Sequence, residues 1–449
     1  MQMTIVFPIR VLLSLIAYLV FVSIVILDRE TVHPVFVVAF VFIVYFLLAP
    51  TTLLDPRNMV FAFFVLFFVV PPSVDYLFVV YELEYRLPWG RPWDWSALED
   101  ATYIEVASIY TYLMIVFCLF LTQKQVEFKY IFGVAKGSLM FFLLMTICAL
   151  AFFVYKTGGI SSWIFSYKET FLLQRSGFGF LNFVFIMLSN ISVFLLGLVF
   201  YKALGSRKIL VLFLAVLFIF FVSYFQGLKS RFIILFIVFL SPYLISVPVT
   251  VRTMTFGAAV FLVLVFFFTY IRSDGFYSSP LLFLEYTMTY FNAFPLHDLI
   301  VKEGVLSAFS TSHQLLAKPA SILGFEHTWD FDLSVMLTKE YFPNDWESMS
   351  ATQQWPLLTD MRFNYLGFWL GWLFVLIYIA FLCYLFSKAR KGSIPFLFIF
   401  VLEFVRIFSV MRGVLVPWQI FVYIPAYFLS FLIIKYCVTV FGARRITGD

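Results

Sequence analysis

Apolar runs about as long as one bilayer crossing recur along the whole chain, and few charges interrupt them. A hydrocarbon core of about 30 Å takes roughly 20 apolar residues per helix. Within lipid every backbone polar group needs a partner inside the protein, which leaves helices or closed barrels. Runs such as ILVLFLAVLFIFFVSY (209–224) are too continuous for barrel strands, which alternate with period two. Composition agrees: 12% of residues are charged, against roughly 25% in soluble domains. The expected fold class is therefore an all-α polytopic membrane protein. Twelve spans are expected, near 10–27, 34–49, 59–80, 102–121, 138–155, 180–201, 209–225, 231–247, 254–271, 364–386, 393–414 and 417–437.

Cys118, Cys148, Cys383 and Cys437 all fall in apolar runs, so they are expected as small buried hydrophobes, without a disulfide or thiolate metal site. The start resembles a signal peptide only weakly. It lacks a small-residue cleavage site and reads as an uncleaved first span.

Lysine and arginine in short connections set orientation. One set of connections holds Arg57, then Lys124, Lys129 and Lys136, then Lys202, Arg207 and Lys208, then Arg252, then Lys388, Arg390 and Lys391, with Arg444 and Arg445 in the tail. These are expected inside, with both termini. Residues 1–271 then form spans one to nine, with smaller exterior loops near 81–101 and 156–179. Residues 272–363 form one large exterior loop, and 364–449 hold spans ten to twelve and the tail.

On that parse the turn in SYFQGLKSRFIILFIVFL (223–240) puts Lys229 and Arg231 outside, against the usual charge bias. Two readings stand: cations that snorkel to headgroups, or cations that hold a ligand. The exterior loop 81–101 carries Trp89, Trp93 and Trp95, as an interfacial anchor or a sugar-stacking platform. The loop 156–179 carries Arg175 beside Gly177 and Gly179, and glycine lets backbone approach a ligand closely. Arg272 and Asp274 stand where the large loop opens, Asp360 and Arg362 where it closes. Between them lies an amphipathic stretch broken at Pro295, too polar to span, which suits a lid along the interface. His297, His313 and His327 lie in the same loop, at spacings that match no zinc signature. In the eleventh span Glu403 and Arg406 are expected to pair at i, i+3. Arg412 lies two turns from Arg406, toward the outside. Intramembrane charge is costly and marks a functional site by default.

Arg175, Arg231, Arg272, Arg362 and Arg412, with Lys229, thus come from separate places in the chain yet share one expected depth. Guanidinium forks suit phosphate oxygens and lysine serves as a point charge. No acidic cluster sized for magnesium or calcium accompanies them. The set fits an anionic ligand held without metal at the outer leaflet, such as a lipid-linked diphosphate.

With this organisation, and with QGLKSRFIILFI (226–237), NYLGFWLGW (364–372) and SVMRGVL (409–415), the chain resembles the Wzy-type O-antigen and oligosaccharide repeat-unit polymerases of bacterial inner membranes. The resemblance implies an architecture like that of GT-C-type glycosyltransferases and an active site facing the periplasm. It implies a metal-independent reaction without a cofactor. A growing glycan on undecaprenyl diphosphate passes to a new lipid-linked repeat unit, and undecaprenyl diphosphate leaves. Under it, Arg272, Arg231 and Arg412, assisted by Lys229, bind the leaving diphosphate, while Arg175 and Arg362 bind the second diphosphate or orient sugars. Asp274, His297, His313 and Asp360 are the candidates for the general base. The implied partners are undecaprenyl-diphosphate-linked oligosaccharides and the lipid bilayer, with a chain-length regulator protein left open and no nucleic acid. The alternatives are an O-antigen ligase, for which His313 in STSHQLLAKP is the loosely comparable histidine, a lipid-linked oligosaccharide flippase, or a scaffold whose arginines only anchor headgroups.

Overall fold

The computed structural model describes residues 3–27, 34–48, 50–83, 100–121, 128–167, 170, 179–226, 229–272, 279, 281–283, 285, 294–303, 333–344, 347, 355–363, 368–413, 415 and 420–445. In chain order these form α1 (Met3–Leu27), α2 (Pro34–Leu47), α3 (Pro56–Phe64), a π turn (Val65–Val69), α4 (Val70–Val80) and α5 (Asp100–Phe120). Then come β1 (Phe128–Val134), α6 (Lys136–Lys156), α7 (Gly159–Phe165), α8 (Gly179–Lys202), α9 (Gly205–Tyr224), α10 (Lys229–Leu244) and α11 (Val251–Arg272). The long segment before the last apolar runs holds α12 (Phe294–Glu303), α13 (Leu333–Tyr341) and α14 (Leu357–Phe363). The chain closes with α15 (Phe368–Arg390), α16 (Ile394–Met411), α17 (Ile420–Cys437) and β2 (Val438–Arg445).

A helix occupies each of the twelve segments read as apolar runs, the third being the continuous α3–π–α4 stretch. Among the described residues, five helical stretches are long and apolar enough to cross a membrane: Gly137–Lys156, Phe180–Lys202, Gly205–Tyr224, Gly371–Arg390 and Ile394–Met411. The chain is an all-α membrane protein, with one two-stranded sheet among the described residues. That sheet, β1 antiparallel to β2, has an irregular step between Ile131 and Phe132. From the sequence both stretches read as connection and tail. Their β-branched and aromatic residues, in FKYIFGV and VTVFGARR, are the signal for it.

Contacts between turns sort the connections into two ends. At one end Leu53 N–H bonds to the Val247 carbonyl at 3.0 Å, Thr52 bridges Pro248, and Arg390 reaches Thr51 Oγ1 at 3.4 Å. Asp55 caps α3 there, with Pro56 in the first turn, where its missing N–H costs nothing. Burial alone would raise the Asp55 carboxyl. The Arg57 guanidinium, 2.7 Å away, and the Thr51 and Arg57 backbone N–H groups outweigh that and hold it below the ordinary carboxylate range. Arg57 also donates to Cys118 Sγ in the last turn of α5. The second turn of α5 carries Glu105, about 20 Å away at 1.5 Å per residue, so α5 joins this end to the other.

The core runs through α16 and α8. Leu397, Phe398, Phe400 and Val401 are buried on one, Val193, Phe194, Leu195 and Leu198 on the other. Outer helices carry their large apolar side chains outward, as α9 does with Leu210, Phe213, Leu214 and Leu217. Lipid satisfies that surface as water would not. Where α8 crosses α10, a Cβ on Gly197 would lie 2.1 Å from the Phe239 carbonyl oxygen. Backbone cannot yield there without separating the helices. Gly197→Ala is expected to destabilise by about 1–3 kcal/mol through overpacking. Thermal unfolding in detergent checks it, with Gly137→Ala as the control, since nothing lies within 4 Å of that position.

Candidate functional site

The end opposite Asp55 collects the polar groups. Arg231, the third residue of α10, turns into the bundle and not outward to headgroups. Its Nε donates to Gln226 Oε1 at 2.8 Å and its Nη2 to Asn190 Oδ1 at 3.1 Å. Gln226 in turn donates to Ser189 Oγ at 3.2 Å. Asn190 stands midway along α8, so the guanidinium sits well inside the helical layer. Both of its bonding partners are neutral amides, and among the described residues no carboxylate pairs with it. Tyr423 of α17 lies within electrostatic reach of Arg231, Arg406 and Glu403.

The turn that presents Arg231 is tied down by α7. Tyr224 Oη donates to the Trp163 carbonyl at 2.8 Å, and Tyr167 Oη to the Tyr224 carbonyl at 3.1 Å. Trp163 is fully buried, its ring 5.3 Å from that of Phe225 and its indole N–H on Thr157 Oγ1 at 2.8 Å.

A second group lies on α16. Arg406 Nε donates to both oxygens of Glu403, at 3.1 and 2.9 Å. Tyr427 Oη donates to Glu403 Oε1 at 2.8 Å, and the Arg406 guanidinium lies 5.0 Å from the Tyr378 ring centre. This is the i, i+3 pair that the sequence predicts.

The third group joins α5, α12 and α14. Glu105 takes Arg362 Nη1 on one oxygen at 2.7 Å and His297 Nε2 on the other at 2.8 Å. A carboxylate can only accept, so Nε2 carries the proton. Nδ1 of His297 meets Thr359 Oγ1 at 2.9 Å. Beside them Thr102 Oγ1 donates to Asp298 Oδ1 at 2.9 Å, and Lys302 pairs with Asp298 at 2.8 Å.

Leu415 links the second group to the third. Its N–H meets Asp360 Oδ2 at 3.5 Å, and its carbonyl accepts from Arg406 Nη1 at 3.4 Å. The turn before it closes tightly on the Trp355–Asp360 stretch. Gly413 has φ +84°, and a Cβ there would lie 2.9 Å from the Trp355 carbonyl oxygen. Only glycine fits both demands. Arg412, half-buried on the same turn, places its guanidinium 5.9 Å from the Phe408 ring centre.

Of the site residues expected from sequence, the structure thus brings Asp360, Arg362 and Arg412 to one turn-and-helix junction, with Arg231 on the neighbouring helices. Asp360 is buried, as is His297. The backbones of Lys229 and Arg272 start α10 and end α11, but their side chains lie outside the described residues, as do Arg175, Asp274 and His313 altogether. Glu105, Asn190, Gln226 and Thr359 are not singled out by sequence. The signal for Glu105 was a carboxylate just inside an apolar run. Asn190 and Gln226 are neutral, and nothing in a single sequence marks them. Among the described residues no three His, Cys, Asp or Glu side chains are grouped to hold a metal ion.

Fold and site define an all-α membrane protein with arginines held inside one end of its helical bundle. Comparison of the chain with protein-family models, with curated proteins and with solved structures gives no match in any of the three.

Proposed function

We propose that the protein is a polymerase of undecaprenyl-diphosphate-linked oligosaccharide repeat units, a twelve-span enzyme of the bacterial inner membrane that works at the periplasmic face. Arg231 carries the reading. A guanidinium held inside a bundle by two neutral amides, with no carboxylate among the described residues, is a charge waiting for an anion, because an uncompensated buried cation is costly. Arg362 and Arg412, from the junction at the same end, supply further forks for phosphate oxygens.

In the reaction the acceptor sugar hydroxyl attacks the anomeric carbon of the growing chain. The new C–O bond forms as the bond from that carbon to the diphosphate oxygen breaks. The diphosphate leaves with the electron pair, and the hydroxyl proton passes to a general base, for which Asp274, His297, His313 and Asp360 remain the candidates. Charge grows on the leaving diphosphate, so cations fixed in a low-dielectric site stabilise the transition state more than the ground state. Arg272 and Lys229 belong to this set through their positions at helix ends, and Arg175 through its loop.

The gene is deleted from its host, returned on a plasmid, and the surface glycan is run on a gel. The expected result is a single repeat unit in the deletion and a full ladder on return. Long chains that persist in the deletion but no longer reach the lipid A core would make the protein a ligase. Loss of lipid-linked units from the outer leaflet would make it a flippase. Either outcome overturns the polymerase reading.

A further inference from the structure

Glu105 is nearly buried, whereas the Arg362 side chain that it holds keeps a third of its surface exposed. One terminal nitrogen of Arg362 is fixed at 2.7 Å, and no other described residue takes a hydrogen bond from that guanidinium. The second Glu105 oxygen is held by His297, whose far nitrogen is held by Thr359 one turn before Arg362. Glu105 therefore cannot swing away without breaking a three-residue chain. Among the described residues, Arg362 on α14 and the His297 imidazole on α12 face it, with Asp298 and Lys302 paired to each other beside them.

We infer that Glu105 is a positioning residue: it fixes the plane of the Arg362 guanidinium so that the free edge presents its N–H donors to a phosphate oxygen. A fork fixed at one end loses less freedom when its other end binds, so the carboxylate behind it strengthens anion binding although it carries negative charge. The inference rests on the reading of Arg362 as a diphosphate ligand, and it adds a residue which that reading does not contain. The bland alternative is a latch that only ties α12 and α14 to α5.

A double-mutant cycle separates the two. The purified full-length protein is titrated with inorganic pyrophosphate as wild type, Glu105→Gln, Arg362→Gln and the double variant. Positioning predicts that each single change weakens binding about tenfold, and that the double is no weaker than Arg362→Gln alone, because coupled neighbours fail to add. A double variant that loses the product of the two single effects overturns the inference, as does an unchanged affinity in Glu105→Gln or no pyrophosphate binding by the wild type. If Glu105→Gln fails to fold, Glu105→Asp takes its place, since it keeps the charge but is too short to hold both partners. Pyrophosphate binding needs no elongation, so a failed glycan ladder overturns the polymerase reading and leaves this cycle to decide the role of Glu105 by itself.

Discussion

Arg231→Ala abolishes elongation, by about 100-fold or more, because a donor aimed at developing charge in a low-dielectric site is worth about 10²–10³ in rate. The same change leaves the melting temperature unchanged or raises it. The two halves of the expectation have one cause. Arg231 lies between Gln226 and Asn190, and among the described residues it has no carboxylate partner. Removing it therefore leaves no orphaned opposite charge, only two amides that bond to each other or to water. Its desolvation is a standing cost to the fold, the trade of stability for function common at active sites. Arg231→Lys keeps the charge but loses the fork, and should retain short chains while losing long ones. Glycan ladders and melting curves on the same variants check both halves. A fall in melting temperature in Arg231→Ala, with elongation intact, would make the residue structural.

The sequence shows which stretches are helical, because hydropathy in a membrane protein is a signal about the solvent and needs no tertiary contact. It also shows the Glu403–Arg406 pair, since i, i+3 neighbours meet on any helix. Three other features depend on contacts across the fold. Glu105 lies nearly two hundred positions before His297 and more than two hundred before Arg362, and nothing local to it says that both would arrive on its two oxygens. Gly413 could be read as a turn glycine, but its second demand comes from the Trp355 carbonyl of another segment. The inward course of Arg231 depends on Asn190, a residue of the preceding hairpin. Charge at the edge of an apolar run reads as snorkelling or as function with equal ease until its partners are known.

Glu403→Gln is expected to destabilise the protein by about 3–5 kcal/mol, the cost of breaking a buried ion pair by removing one partner. Lost hydrogen bonds do not explain a cost of that size. Glu403 accepts from Arg406 and from Tyr427, and polar contacts between membrane helices average about 0.6 kcal/mol each. Most of the loss is the unpaired Arg406 cation, which among the described residues keeps the Leu415 carbonyl and the face of Tyr378. Removing both charges should therefore restore stability. The double variant Glu403→Leu, Arg406→Leu is expected to melt close to the wild type, and Tyr427→Phe alone to lose about 0.5–1.5 kcal/mol. Unfolding of the purified variants in detergent measures all three. Arg406→Leu alone should be about as damaging as Glu403→Gln, since it leaves the buried Glu403 carboxylate unpaired; a double variant no more stable than either single change would show that Arg406 also holds the Leu415 turn in place. In that case elongation should fall with it, since the same turn carries Arg412 and its neighbouring Leu415 contacts Asp360.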